Sequence, residues 1–221
     1  MSFDRLAKHY SWMEHLLAGQ KLQRCRITHL ESLRPCRNIL LVGEGHGRFL
    51  ETLVRNLPDA NITCVDASNE MLQVARKRLR QAGLTELQVQ FLHASLPDWQ
   101  PPCGSFDAIV TNFFLDCFPP ADLAVVVRRL AYGTSPGALW LIADFQRDKG
   151  GWRALRTRGL LWIMYQFFRI ATHLPARELT PPDQEMISSG FQLISRNVSE
   201  WGLLHSDLWV RNADLLTPRG Q

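Results

Sequence analysis

Three glycines at alternate positions, Gly43, Gly45 and Gly47, follow an apolar run in the segment ILLVGEGHGRFL, residues 39–50. Glycine lets backbone N–H groups approach a ligand without a Cβ in the way, and the start of a following helix adds donors and partial positive charge. Asp66 ends the next apolar run, 19 residues after Gly47. A carboxylate there can accept hydrogen bonds from both hydroxyls of a ribose. The pattern favours a nucleotide-like ligand over the alternative, an ordinary strand–helix turn with Asp66 as a helix cap.

The residues of the turn narrow the choice of ligand. A dinucleotide-binding turn, G-x-G-x-x-G, needs glycine at position 48, where the chain has Arg48. A Walker A loop needs lysine and then serine or threonine after its last glycine, and the sequence lacks them. The remaining option is an adenosine ligand without a pyrophosphate.

Strands and helices alternate around the turn and must position its residues. The predicted strands are NILLV (38–42), NITCVD (61–66), LQVQFL (87–92), FDAIVTNFF (106–114) and GALWLIADF (137–145). The predicted helices are two leading helices within 2–34, separated at Gly19, and helices at 47–56, 68–82, 120–132 and 181–189. Ser68 is the expected N-cap of the helix at 68–82, and Gly83 follows its end. Because these strands are apolar on both faces, they indicate a parallel sheet covered on both sides. Two further strands, FQLISRNVS and GLLHSDLWVR, are joined only by EWG and must be antiparallel. The predicted fold is α/β: a Rossmann-like, seven-stranded, mostly parallel sheet with a C-terminal antiparallel hairpin and helices on both faces.

The turn, the acidic residue and the strand order resemble the class I S-adenosylmethionine-dependent methyltransferases, in particular the small-molecule, ubiquinone/menaquinone-biosynthesis-like type. The resemblance covers about residues 36–145 and, in outline, the terminal hairpin. It implies S-adenosylmethionine as the cofactor and a set of residues that contact it. The implied cofactor-binding residues are Gly43, Glu44, Gly45, Gly47, Asp66, Ala67, Met71, Ala94, Ser95 and Asn112. Ala67 and Met71, with Ser68, would flank the adenine, and Asn112 would face the methyl group.

Two positions depart from the family pattern. The family often has an acid two residues before the first glycine, where this chain has Leu41, and Glu44 is the substitute we expect to hold the cofactor's ammonium group. An acid that commonly contacts the adenine is replaced by Ser95, whose hydroxyl can still accept a hydrogen bond from an amine. These departures keep open a non-catalytic, cofactor-binding or scaffold protein of the same fold.

The resemblance also predicts how one methyltransferase domain spanning residues 1–221 is organised. Its parts are an N-terminal helical lid (1–35), a cofactor-binding core (36–145), an inserted helical substrate cover (146–190) and the terminal β-hairpin (191–211). The fourth strand is followed by NFFLDCFPP instead of the D/N-P-P-Y/F of nucleic-acid N-methyltransferases. A small acceptor is therefore favoured over the alternative, a methyltransferase for RNA or protein.

The acceptor end of the site offers fewer signals. The aromatic-rich helix predicted at 151–171 suggests an apolar or aromatic acceptor, methylated on oxygen or carbon. Its alternatives are a core or dimer-interface helix and a peripheral membrane contact. The predicted catalytic residues are Asp116, which lies among phenylalanines, and Tyr10 on the leading helix. Asp116 could instead cap the next helix, and His93, His173 and His205 are further candidates for a base.

Composition limits the remaining classes. The formal net charge of +4 comes without a basic arm, so no nucleic-acid partner is expected. The five cysteines are scattered and form no C-x-x-C pair, which predicts neither a disulfide framework nor a metal site. The sequence has no signal-like N-terminus and no uncharged stretch long enough for a transmembrane segment. We expect a cytoplasmic monomer or homodimer.

Overall fold

The computed structural model describes residues 19–146 and 180–213, which form one mixed sheet with helices on both faces. The strands are β1 (Asn38–Val42), β2 (Asn61–Asp66), β3 (Val89–His93), β4 (Phe106–Asn112), β5 (Thr134–Phe145), β6 (Phe191–Ser199) and β7 (Leu204–Arg211). Their order in the sheet is β3-β2-β1-β4-β5-β7-β6. Strands β1 to β5 pair in parallel, and β7 is antiparallel to both β5 and β6. The predicted fold class is confirmed.

The helices of the described segments are α1 (Gly19–Ile27), α2 (Arg48–Asn56), α3 (Asn69–Gln81), α4 (Pro120–Tyr132) and α5 (Asp183–Ser188), with 3-10 turns at Leu30–Leu33, Leu115–Cys117 and Glu200–Gly202. Helices α2 and α3 bury Phe49, Leu53 and Leu79 on one face of the sheet. Helices α4 and α5 bury Val126 and Met186 on the other. None of the helices in these segments is both long and apolar enough to cross a membrane.

Several element boundaries differ from the prediction. The fourth strand ends at Asn112 rather than at residue 114, because Phe113 has a φ of 54°, which turns the chain out of the ladder. The second leading helix ends at Ile27 and is followed by a 3-10 turn. The helix predicted at 181–189 begins only at Asp183. Tyr10 and the helix predicted at 151–171 lie outside the described residues.

The start of α3 carries the predicted N-cap. The Oγ of Ser68 accepts a hydrogen bond from the N–H of Met71 at 3.3 Å, and Ser68 has an extended backbone, as N-cap residues do. This satisfies one of the donors that every helix leaves unpaired at its start. The cap also fixes the direction in which the chain leaves β2.

We expect Ser68→Ala to lower the free energy of unfolding by about 1 kcal/mol, the usual loss for an N-cap serine. Urea denaturation monitored by circular dichroism measures it. Ser105→Ala is the control, because Ser105 is exposed and its Oγ contacts only the carbonyl of Cys103. Equal losses in both variants would contradict a capping role for Ser68.

Candidate functional site

The glycine turn leaves β1 with three residues in the left-handed region. Gly43, Gly45 and Gly47 have φ values of 67°, 67° and 81°, which favour glycine. A Cβ on Gly43 would lie 2.3 Å from the Phe114 ring, and one on Gly47 would lie 2.7 Å from the Cα of Ala75. At Gly45, no atom of the described chain lies within 4 Å of the position that a Cβ would take. Packing therefore accounts for two of the glycines, and the third lines open space.

Asp66 ends β2 and ties this turn to the next helix. Its Oδ2 accepts the N–H of Gly45 at 3.1 Å, and its Oδ1 accepts the N–H of Ser68 at 2.9 Å. Burial raises the pKa of Asp66, while the N–H groups of Ser68 and Gly45 act in the opposite direction by stabilising the carboxylate. An ionised carboxylate has about four acceptor positions, so two bonds leave Asp66 able to accept others.

Glu44 is buried inside the turn and caps α2. Its Oε1 accepts the N–H groups of Phe49 and Leu50 at 2.7 and 3.2 Å. Its Oε2 is buried without a hydrogen-bond partner in the described segments. Burial raises the pKa of Glu44, and the nearby charge of Arg26 opposes that rise. Glu44 thus stabilises the helix start with one oxygen, and the other remains available.

Arg26 on α1 is the residue of this region that sequence reasoning missed. It is buried, and its guanidinium carbon lies 5.2 Å from the centre of the Phe113 ring, within cation–π range. Its charge also acts on Glu44. The available signal was its place between Cys25 and Ile27, two apolar neighbours in a mostly polar helix. Arg26 places a positive charge beside the turn and the end of β4.

The residues predicted to surround the adenine lie at the ends of β2 and β3. Ala67 is exposed, and its carbonyl lies 3.0 Å from Nε2 of His93. The N–H of Ala94 donates to the carbonyl of Asp66 at 3.1 Å, which joins the two strand ends. The hydroxyl of Ser95 is exposed and contacts only the carbonyl of its neighbour Leu96.

Met71 and Asn112 flank this edge from α3 and β4. Met71 is 8 % exposed and lies in the first turn of α3. Asn112 is buried, and its Nδ2 has no hydrogen-bond partner among the residues that the structure describes. The structure therefore brings the residues predicted for the cofactor to one edge of the sheet, the carboxyl ends of β1 to β4, where ligands of open parallel sheets bind.

A second polar group lies at the end of β5. Asp144 is 2 % exposed and pairs in register with His205 of β7. Asp116, in the 3-10 turn after β4, contacts Asp144 and accepts a weak hydrogen bond from the thiol of Cys117 at 3.5 Å. The Nδ1 of His205 lies 3.1 Å from Oδ2 of Asp207. Of the two predicted catalytic residues, Asp116 lies in this acidic group and Tyr10 lies outside the described residues.

Arg196 of β6 balances one of these carboxylates. Its guanidinium donates to both oxygens of Asp207 at 2.8 and 2.6 Å and to Asp183 of α5 at 2.9 Å. For Asp207 burial alone would raise the pKa, but the hydrogen bonds from Arg196 and the nearby His205 ring bring it below its ordinary value. No such cation is bound by Asp116 or Asp144 in the described part of the chain.

Comparison with known proteins supports the family resemblance. Residues 39–137 match the model of a methyltransferase domain, and this range contains the glycine turn and Asp66. Over this range the chain is similar to methyltransferase domains, in agreement with its resemblance to the class I S-adenosylmethionine-dependent methyltransferases. The space at Gly45 and the spare acceptor capacity of Asp66 fit the cofactor of this family, because a Cβ would fill the first and ribose hydroxyls can use the second.

Named relatives within the family are similar over part of their length. A trans-aconitate 2-methyltransferase of Afipia carboxidovorans is 34% identical over 121 residues, which is 49% of this chain and 43% of that protein. A ubiquinone/menaquinone biosynthesis C-methyltransferase of Vibrio parahaemolyticus is 27% identical over 148 residues, 66% of this chain and 56% of that protein. The chain matches about half the length of these relatives.

Solved structures of methyltransferases share the fold. Mitomycin 7-O-methyltransferase superposes with a TM-score of 0.70 at 15% identity, covering 96% of this chain and 61% of that one. A 1,6-didemethyltoxoflavin N1-methyltransferase of Burkholderia thailandensis was solved with S-adenosylhomocysteine. It superposes with a TM-score of 0.67 at 17% identity, covering 96% of this chain and 86% of that one. At these identities the similarity establishes the fold alone.

Proposed function

We propose that this chain is an S-adenosylmethionine-dependent methyltransferase that acts on a small-molecule acceptor. The observation that carries the proposal is the open space at Gly45 beside the Asp66 carboxylate, which accepts the N–H of Gly45 itself. A cofactor with a ribose can use both features at once. The names of the relatives support a small acceptor, since they act on trans-aconitate or in quinone biosynthesis.

In this proposal the chain holds the cofactor and keeps it oriented. The backbone of Gly43, Gly45 and Gly47 forms the cradle, and Asp66 accepts the ribose hydroxyls. Glu44 offers its unpaired oxygen to the ammonium group. The residues assigned to the adenine are Ala67, Met71, Ala94 and Ser95.

The bound cofactor supplies a methyl group on a positively charged sulfur. Its transfer is an in-line displacement, so the acceptor must be positioned and water excluded. Asn112 at the end of β4 faces the methyl group in this assignment, and Asp116 serves as the base. Tyr10 is proposed to contact the cofactor or acceptor.

The acceptor is proposed to be apolar or aromatic and to be methylated on oxygen or carbon. Three phenylalanines follow β4, and the rings of Phe114 and Phe118 meet edge to face with centroids 5.1 Å apart. The third, Phe113, packs against Phe145 at 4.9 Å. Partly buried aromatic surface of this kind binds planar apolar groups well.

The test is transfer of a labelled methyl group. We expect the purified protein to bind S-adenosylhomocysteine in calorimetry and to transfer tritium from labelled S-adenosylmethionine to the small-molecule fraction of a cell extract. Label recovered only in RNA or protein would contradict a small acceptor. Cofactor binding with no transfer to any fraction would indicate the non-catalytic alternative.

A further inference from the structure

Asp144 is a buried carboxyl whose only described polar neighbour in direct contact is Asp116. Only 2 % of its surface is exposed, and neither of its oxygens has a hydrogen-bond partner of normal geometry in the described segments. The backbone of Asp116 favours the ionised form of Asp144, but burial and the charge of Asp116 oppose ionisation more strongly. In the neighbouring strand, the buried Nδ2 of Asn112 also lacks a partner among these residues, and Asn112 pairs in register with Ala143, beside Asp144. Buried polar groups left unpaired cost free energy, so such groups at one edge of a sheet indicate a bound polar ligand.

No ion pair joins a cation to this carboxyl within the described segments. The titratable and charged groups that face Asp144 or its neighbours are Asp116 and Cys117 from the turn after β4, His205 and Asp207 from β7, Arg196 from β6, Asp183 from α5, and Cys25 and Arg26 from α1. Arg196 is engaged by Asp207 and Asp183. The ring nitrogen of His205 lies against Asp207.

Asp116 and Asp144 therefore form a pair of contacting carboxyl groups. Two such groups cannot both ionise at low cost, so the pair retains one proton. Burial raises the pKa of Asp144 well above its ordinary value, and the charge of Asp116 acts in the same direction. Because Asp144 is almost completely buried and Asp116 is partly exposed, Asp144 is the member that keeps the proton and Asp116 is the member that a ligand can reach.

We propose that the Asp116–Asp144 pair binds the methyl acceptor through an O–H or N–H group of that acceptor, and that Asp116 takes the proton from this group during transfer. The inference rests on the proposed function and revises its acceptor class: it excludes methylation on carbon and selects acceptors methylated on oxygen or nitrogen. Asp144 is a positioning residue: its carboxyl proton is donated to one oxygen of Asp116 and leaves the other oxygen for the acceptor.

In the methyl transfer, every bond formed or broken and the released proton are accounted for by the acceptor, Asp116 and the methyl donor. The acceptor's oxygen or nitrogen forms a bond to the methyl carbon, and its own bond to hydrogen breaks. The proton goes to the Asp116 carboxylate. The carbon–sulfur bond breaks with its electron pair left on sulfur, whose positive charge is thereby lost. No oxidant, reductant or further reactant is needed.

The shared proton can be tested without an acceptor, through Asp144→Asn. An asparagine has the shape of a protonated aspartate and keeps a donor toward Asp116. A carboxyl whose folded pKa is raised makes the wild type lose stability as the pH rises above the unfolded value of about 4, because the unfolded state gives up its proton first. The variant lacks this loss.

We therefore expect the melting temperature of Asp144→Asn to exceed that of the wild type by an amount that grows from pH 4 to pH 8. Asp98→Asn is the matched control, since it makes the same substitution at an aspartate with an exposed side chain; its difference from the wild type should not show this trend. A pH-independent difference for Asp144→Asn, or a variant less stable than the wild type throughout, would overturn the proton-sharing pair.

The second measurement concerns the acceptor. Asp116→Asn should bind S-adenosylhomocysteine like the wild type and transfer label about 10²- to 10⁴-fold more slowly, the usual contribution of a general base. The wild-type products should carry the label on oxygen or nitrogen. Label on carbon, or an unchanged rate in Asp116→Asn, would refute the inference. Failure of the wild type to bind the cofactor would refute the proposed function instead, and the pH dependence of Asp144→Asn would still decide on the pair.

Discussion

Asp66→Ala is expected to reduce the affinity for S-adenosylhomocysteine by roughly 100-fold or more. The carboxylate is assigned two ribose hydroxyls, and each hydrogen bond to a charged group contributes about 1.5–3 kcal/mol. Losing about 3 kcal/mol corresponds to roughly two orders of magnitude in the dissociation constant. The substitution also frees the N–H of Gly45, which relaxes the turn that forms the cradle. Isothermal titration calorimetry measures the change.

Asp107 provides a matched control within the same sheet. Its Oδ2 accepts the N–H of Arg37 at 2.7 Å and its Oδ1 accepts the N–H of Asn38 at 2.9 Å. Like Asp66, it holds two backbone donors, but these lie at the opposite edge of the sheet, where β1 begins and β4 has just started. The free energy of unfolding of Asp107→Ala should therefore fall about as much as that of Asp66→Ala, and Asp107→Ala should bind the cofactor normally. Equal affinities in the two variants would rule out a ribose-binding role for Asp66.

Most of the fold could be predicted because the signals for its strands and helices lie within short stretches of sequence. The continuous apolar strands, the N-cap at Ser68 and the glycine after α3 are each read within a few residues, and Gly83 indeed has a φ of 68°. The early end of β4 could not be predicted, since FDAIVTNFF continues as an apolar strand in sequence. The positive φ of Phe113 accompanies packing of its ring against Phe145 and Arg26, which are far away along the chain.

The candidate site likewise has residues that the local sequence predicts and residues that it does not. Gly45 and Asp66 are joined by a hydrogen bond between residues that a short strand–helix–strand unit fixes in space, so their spacing in sequence was informative. Asp144 ends an apolar strand, and nothing in LIADF distinguishes it from an exposed strand end. Its contact with Asp116 and its register with His205 depend on the order of β4, β5 and β7 in the sheet. Those pairings become visible only in the folded chain.

Gly47→Ala is expected to lower the free energy of unfolding by about 2–5 kcal/mol. A left-handed backbone costs an alanine about 1–2 kcal/mol, and forcing a methyl group into a packed contact costs about 1–3 kcal/mol more. The added Cβ would lie 2.7 Å from the Cα of Ala75 and 2.8 Å from its Cβ, in the interior of α3, where the backbone cannot yield without moving the helix. Against a typical total stability of about 5–15 kcal/mol, this loss is large. Urea denaturation measures it.

Gly45→Ala and Gly83→Ala are controls for Gly47→Ala. They show how much of the lost stability comes from the left-handed backbone and how much from the steric contact with Ala75, and they test cofactor binding separately. Their φ values of 67° and 68° resemble that of Gly47, but no described atom lies within 4 Å of the added Cβ. In both variants the free energy of unfolding should fall only by the cost of placing alanine in a left-handed backbone, about 1–2 kcal/mol. Gly45→Ala should also weaken S-adenosylhomocysteine binding, because its methyl group enters the proposed cradle, whereas Gly83→Ala should bind normally. If Gly45→Ala kept full affinity, the open space at Gly45 would not be the cofactor's place, and Asp66 alone would have to support the assignment.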